Sequence, residues 1–152
     1  MKAILASLVL IVSASTLIAD SYSTFSSVVN FSASLKDLVQ SPNTISSKLL
    51  YLIEGTIRDV RVQKSEAGFY AEADFVDSEW QGLEDIKTYK IVLIFAKDEF
   101  ASRVPDKPNR TNPTFINPNS RGLALVQYVR SVPGENGDLV PVFLVQEYRV
   151  LR

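Results

Sequence analysis
From Leu49 to Ala96 the sequence reads as three β-strands joined by tight turns, and no other stretch limits the fold so severely. LLYLIEGTIRDVRVQ runs to a turn at Lys64-Ser65-Glu66-Ala67-Gly68; FYAEADFVDSEW returns to a second turn near Gln81-Gly82; TYKIVLIFA leaves it. In the middle segment Phe69, Ala71, Ala73 and Phe75 alternate with Tyr70, Glu72, Asp74 and Val76, the period of two that a pleated backbone imposes. In the third, Tyr89, Ile91, Leu93 and Phe95 oppose Lys90, Val92, Ile94 and Ala96. Apolar side chains on both faces predict a strand covered on each side or curving through the core. Across Ile53–Gln63 the apolar phase changes around Arg58-Asp59, which predicts a single extra residue, a β-bulge. Gly55 inside that strand fits a strongly bent backbone.

Two more strands, GLALVQYVRSV and DLVPVFLVQEYRVL, flank Pro133–Asp138, where Asn136-Gly137-Asp138 is a hairpin turn signal. Pro141 marks the last strand as an edge, or as a strand in its first residues. Between the two groups of strands, Lys97–Arg121 carries Pro105, Pro108, Pro113 and Pro118 among Asn109, Asn112, Asn117 and Asn119. Proline removes ladder donors and asparagine favours turns, so this is a long irregular loop with Phe115-Ile116 as its apolar anchor. Loops of that length in small domains commonly carry function. Upstream, Val28, Phe31, Leu35 and Leu38 share one helical face, predicting an amphipathic helix of about three turns that ends before Pro42.

Over Leu50–Leu151 the pattern resembles the OB-fold: a three-stranded meander, a long connection, then a hairpin. Glu54-Gly55-Thr56-Ile57-Arg58-Asp59-Val60 with its bulge, the return after Gly68, the apolar Lys90–Phe95 and the closing Val142–Val150 carry the resemblance. It implies a mainly β fold, a five-stranded OB-like barrel with an N-terminal helix, over residues 49–152. The Pro/Asn loop stands where that family places a helix between strands three and four, and the helix at Val28–Val39 is the alternative plug for the barrel end. OB-folds hold oligonucleotides, oligosaccharides or proteins, so the resemblance selects no function.

The first residues point to export. Met1-Lys2 precede the apolar run AILASLVLIV, and small residues follow at Val12-Ser13-Ala14 and Leu17-Ile18-Ala19. That is the composition of a signal peptide over residues 1–19, leaving a Ser-rich segment and helix over residues 20–48. Retained, Ala3–Ala19 would instead be a membrane anchor at the short limit for a span. Absence of cysteine fits a bacterial periplasm or cell envelope better than a disulfide-dense secreted domain.

Composition removes much chemistry. Without histidine or cysteine there are no thiolate nucleophiles, no disulfides, no zinc sites of the usual ligands and no histidine-based triads. Sixteen basic residues against seventeen acidic give a net charge of −1, which supplies no general pull on phosphate backbones. Nucleic acid is therefore not expected as a partner, nor any cofactor, and the membrane only if residues 3–19 are retained.

The expected role is a non-enzymatic binding or structural component of a cell-envelope assembly, contacting other envelope proteins. Trp80 at the end of the second strand and Asn109, Asn112, Phe115, Ile116 and Asn117 of the loop are the candidate contacts. The alternative is a small-ligand or cation-binding module built on Glu72, Asp74, Asp77 and Glu79, whose carboxylates suit a hard cation. Against it, Arg58, Arg61 and Lys90 lie on neighbouring strands where they can pair with those acids.

Overall fold
The computed structural model describes residues 27–65, 68–109 and 111–151. Alternation becomes ladder where the sequence predicts it: β2 (Leu50–Ser65), β3 (Gly68–Gln81), β4 (Asp85–Phe95), β5 (Arg121–Pro133) and β6 (Leu139–Val150). A sixth strand, β1 (Val29–Asn30), adds two residues in parallel to the start of β2.

β2 serves two neighbours. Its first half pairs with β5 from Leu50↔Gln127 to Thr56↔Arg121, and its second half with β3 from Thr56↔Val76 onward. The register slips between Ile57 and Asp59, so the bulge lies at the expected Arg58 and bends the strand from one neighbour to the other. β4 then pairs in parallel with β6 at Val92↔Val142 to Ile94↔Leu144, and β6 with β5, closing the sheet partly into a ring. Taken along the ring, the order β2-β3-β4-β6-β5 returning to β2 is that of an OB-like barrel. Pro141 opens β6 before its pairing with β4 begins, where the missing N–H costs that ladder nothing.

Residues of one phase fill the interior. Ala71 and Ala73 lie opposite Phe95 and Leu93, small against large, and all four are fully buried. Ile57, Phe75, Ile91, Val126 and Phe143 join them. Apolar area removed from water at about 25 cal/mol per Å² is the principal term holding such a ring together.

Two short helices differ from expectation. The stripe at Val28–Val39 is not one helix: Val29–Asn30 are strand and a helix resumes from Leu35 to Gln40 (α1), because Asn30 interrupts it. Its side-chain oxygen accepts from the N–H groups of Ser32 (2.9 Å) and Ala33 (3.0 Å), turning the chain out of β1. Ser34 and Asp37 then form a reciprocal capping box that starts α1, which lays Leu35 and Leu38 on the barrel. Where the OB-like pattern would place a helix before the fourth barrel strand there is one helical turn, α2 (Asp98–Ala101). Its Phe100 is fully buried and meets Phe95 edge-on at 5.1 Å.

Candidate functional site
Pairing between β2 and β3 ends at Thr56↔Val76, but β3 and β4 stay paired through Trp80↔Ile86 to Gln81↔Asp85. A two-stranded arm therefore projects past the barrel, closed by Gly82-Leu83-Glu84. Gly82 has φ 84°, a left-handed conformation that suits glycine.

The arm has two unlike faces. On the outer face Trp80 and Ile86 are directly opposed; they are 67% and 54% exposed, and Leu83 at the tip is 98% exposed. Ser78 and Thr88 continue that face, their hydroxyls 3.2 Å apart. On the other face the Glu79 carboxylate accepts from Lys36 Nζ (2.7 Å) and from the Tyr89 hydroxyl (3.1 Å). The hydrogen bond from Lys36, then that from Tyr89, hold Glu79 below the usual carboxylate range. Through these contacts α1 fixes the base of the arm.

The four acids expected to gather do not. Glu72 and Asp74 face outward on β3 beside Arg61, whose guanidinium reaches Asp59 at 2.8 Å and Asp74 at 2.9 Å. The register sets Asp59 directly opposite Asp74, so Arg61 neutralises a like-charged cross-strand pair. Asp77 and Glu79 lie on the opposite face of β3 from Glu72 and Asp74, and Asp77 turns onto its neighbour, accepting from Ser78 N–H at 2.9 Å. Among the described residues no group of three or more acidic side chains is placed to hold a metal ion.

The Pro/Asn loop is stitched to the barrel. Ile116 is buried and its N–H donates to Arg103 O at 2.8 Å. Asn117, 7% exposed, donates through Nδ2 to Asn109 O (2.9 Å) and accepts through Oδ1 from Asn109 N–H (2.8 Å). Asn112 accepts from Thr114 N–H at 3.0 Å, and Phe115 is half-buried. Asn119 N–H and Ser120 O bond Ile57, seating the loop on the bulge of β2. Asn117 and Ile116 thus spend their groups inside the fold, whereas Trp80 offers its ring to solvent. Ile86 and Leu83 escaped the sequence reading. The pairing that sets residue 86 opposite residue 80 is centred on Leu83, one residue beyond the turn expected at Gln81-Gly82.

Two depressions flank these elements. A groove of 810 Å³ lies between the loop at Pro113-Thr114 and Leu52, Leu123 and Leu125, rimmed by Arg103, Glu147 and Arg149. A notch of 530 Å³ opens where β2 parts from β3, between Glu54-Gly55-Thr56 and Val76-Asp77-Ser78, with Arg121 beside it.

No family model matches the chain, and no curated protein matches it. Several solved structures are similar to it. A mitochondrial single-stranded DNA-binding protein from S. cerevisiae is 10% identical, with 68% of this chain and 93% of that one covered, at a TM-score of 0.45. PriB from Ralstonia solanacearum is 11% identical over 68% of this chain and 97% of its own, with a TM-score of 0.42. A putative aspartyl-tRNA synthetase from Leishmania major Friedlin is 9% identical over 86% of this chain and 25% of its own, with a TM-score of 0.48.

Two expectations run against the names of these neighbours. Against the expectation of no nucleic acid, one of these neighbours is by its name a single-stranded DNA-binding protein. Net charge limits bulk attraction to phosphate and says little about a local strip of stacking side chains. Against the expected placement in the periplasm or cell envelope, that neighbour is by its name mitochondrial. The signal-like pattern and the anchor reading of residues 3–19 both lie outside the described residues. Among the described residues no helix is long and apolar enough to cross a membrane.

Proposed function
We propose that this chain is a non-enzymatic binding module that docks a protein partner on the β3–β4 arm. The cross-strand pair Trp80–Ile86 carries the reading. A folded chain gains little for its own stability from a tryptophan two-thirds exposed near the end of a ribbon that is held only at its base. Such a ring is the side chain most enriched among residues that dominate protein interfaces, because it buries a large rigid area for two torsions. The ribbon holds it ready, since pairing through Gln81↔Asp85 orders the backbone before any partner arrives.

Affinity recovery with the parent chain and with Trp80→Ala/Ile86→Ser tests this. Both substitutions lie on solvent-facing positions, so thermal unfolding is expected to be unchanged. The expected result is loss of specific proteins from the variant's recovered set, with affinity reduced about thirtyfold, equivalent to about 2 kcal/mol at an interface hot spot. Recovery of the same proteins by both chains would exclude the arm as the docking site.

A further inference from the structure
The arm has a free strand edge as well as an apolar face. Beyond Val76, β3 is paired with β4 on one side and has no strand on the other among the described residues. Ser78 shows which groups point outward: its N–H leaves the ladder and donates to Asp77 Oδ1 at 2.9 Å. In an antiparallel ladder main-chain direction repeats every second residue, so the N–H and C=O of Trp80 point the same way, off the sheet. The edge faces the notch formed with Glu54, Gly55 and Thr56, which has room for another backbone.

Charge defines what fits there. Asp77–Tyr89 carries four carboxylates, Asp77, Glu79, Glu84 and Asp85, against Lys87 within the segment and Lys36 of α1 on Glu79. Arg121 beside the notch is held by Glu54, so the segment stays net acidic, with Asp77 nearest the open edge. A strand laid along Asp77–Gln81 would place one set of its side chains beside Asp77 and Glu79 and the other beside Ser78 and Trp80. The first set is matched by lysine or arginine, the second by aliphatic or aromatic groups. We infer that the β3 edge at Asp77–Gln81 accepts an extended protein segment as an added strand, one whose side chains alternate between basic and apolar. This rests on the arm being the docking site and names the class of partner it takes.

The lone tryptophan reports occupancy directly, since Trp80 is the only indole in the chain. The probe is a capped decapeptide alternating lysine and valine, titrated into the full chain while Trp80 emission is followed. A saturable blue shift is expected, weakened at least tenfold when alternate peptide amides are N-methylated and weakened again by added salt. A glutamate–valine peptide should give no shift. In the protein, Ser78→Pro should abolish binding, because proline is tolerated at an edge but removes its donor; Asp77→Lys should weaken it. Equal binding of the N-methylated peptide would refute strand addition while leaving docking on the Trp80 face intact. A shift with oligo-dT and none with the peptide would overturn both readings in favour of single-stranded nucleic acid. No shift with any probe would refute the added strand, and the recovery experiment on Trp80→Ala/Ile86→Ser would still decide the arm separately.

Discussion

A Cβ on Gly122 would stand 2.0 Å from the hydroxyl oxygen of Tyr148 and 2.2 Å from its Cζ, so the ring occupies the space a side chain would need. Gly55 is the cross-strand partner of Gly122, and a Cβ there would meet the Phe75 ring at 2.9 Å. The two rings meet edge-on, with centroids 6.3 Å apart. A glycine pair thus lets two aromatic rings lie against bare backbone where β2 bends from β3 to β5.

Gly122→Ala is expected to destabilise the fold by about 3 kcal/mol, the upper range for forcing a methyl group into a packed interior. The obstacle is a ring wedged in the core, which cannot swing away as a surface chain does. Urea unfolding of Gly122→Ala, Tyr148→Leu and the double variant measures the coupling. Additive effects would show that the ring yields more easily than its packing implies.

Tyr148→Phe is expected to be neutral or stabilising by about 1 kcal/mol, because a buried hydroxyl without a partner pays its desolvation unreturned. Among the described residues the Tyr148 hydroxyl has no hydrogen-bond partner of good geometry: Ser120 lies close enough to act on it, but its hydroxyl donates to Asn117 O at 2.6 Å. Burial pushes the Tyr148 pKa up. In the unfolded chain a tyrosine ionises near pH 10, so above that pH the native state holds a proton that the unfolded state has released. Stability from this group is intact below pH 10 and declines as pH rises further. Stability of Tyr148→Phe measured between about pH 9 and 11 should fall less steeply than that of the parent; parallel curves would contradict this.

How far the sequence discloses the fold depends on whether a residue acts through its local period. Ala71, Ala73, Phe75, Ile91 and Leu93 alternate strictly, so their interior face is readable without coordinates. The Arg58-Asp59 bulge is readable too, because an inserted residue reverses the phase. The arm is not, since Asp77–Lys87 has no buried face and its strand character comes only from the partner opposite. α2 is one turn long and has no period to detect. Asn117 is the sharpest case: an asparagine among prolines resembles any surface turn, and its burial is decided by Asn109, eight residues away. Among the candidate contacts, the exposed Trp80 and the buried Asn117 were therefore indistinguishable from sequence alone.

Asn117→Ala should cost about 2 kcal/mol, since it leaves the Asn109 N–H and C=O without their partner in a partly buried setting. It should also loosen the loop. Limited proteolysis is expected to cut the variant between Val104 and Ser120 under conditions that leave the parent intact. Trp80→Ala supplies the contrast: an exposed truncation within about 0.5 kcal/mol of the parent, with no new cleavage. Proteolytic patterns that cannot be told apart would mean that the loop is held by Ile116 and Ile57 alone.

The salt link between Lys36 and Glu79 should make the arm's attachment dependent on acid. Glu79 is held below the ordinary carboxylate range chiefly by Lys36, and its folded-state pKa is therefore depressed. A depressed carboxylate contributes its stabilisation above the unfolded-state value and loses it as pH falls through the folded one. The link is consequently complete at neutral pH and is released only on acidification below the ordinary carboxylate range. Both side chains are largely solvated, so little change in global stability is expected. The arm's position relative to α1 is the sensitive readout. Amide exchange at Lys87–Tyr89 should quicken at low pH, after correction for the intrinsic rate, and Glu79→Gln should show that faster exchange already at neutral pH. Unchanged protection in Glu79→Gln would mean that Tyr89, buried beneath the arm, anchors its base without help from α1.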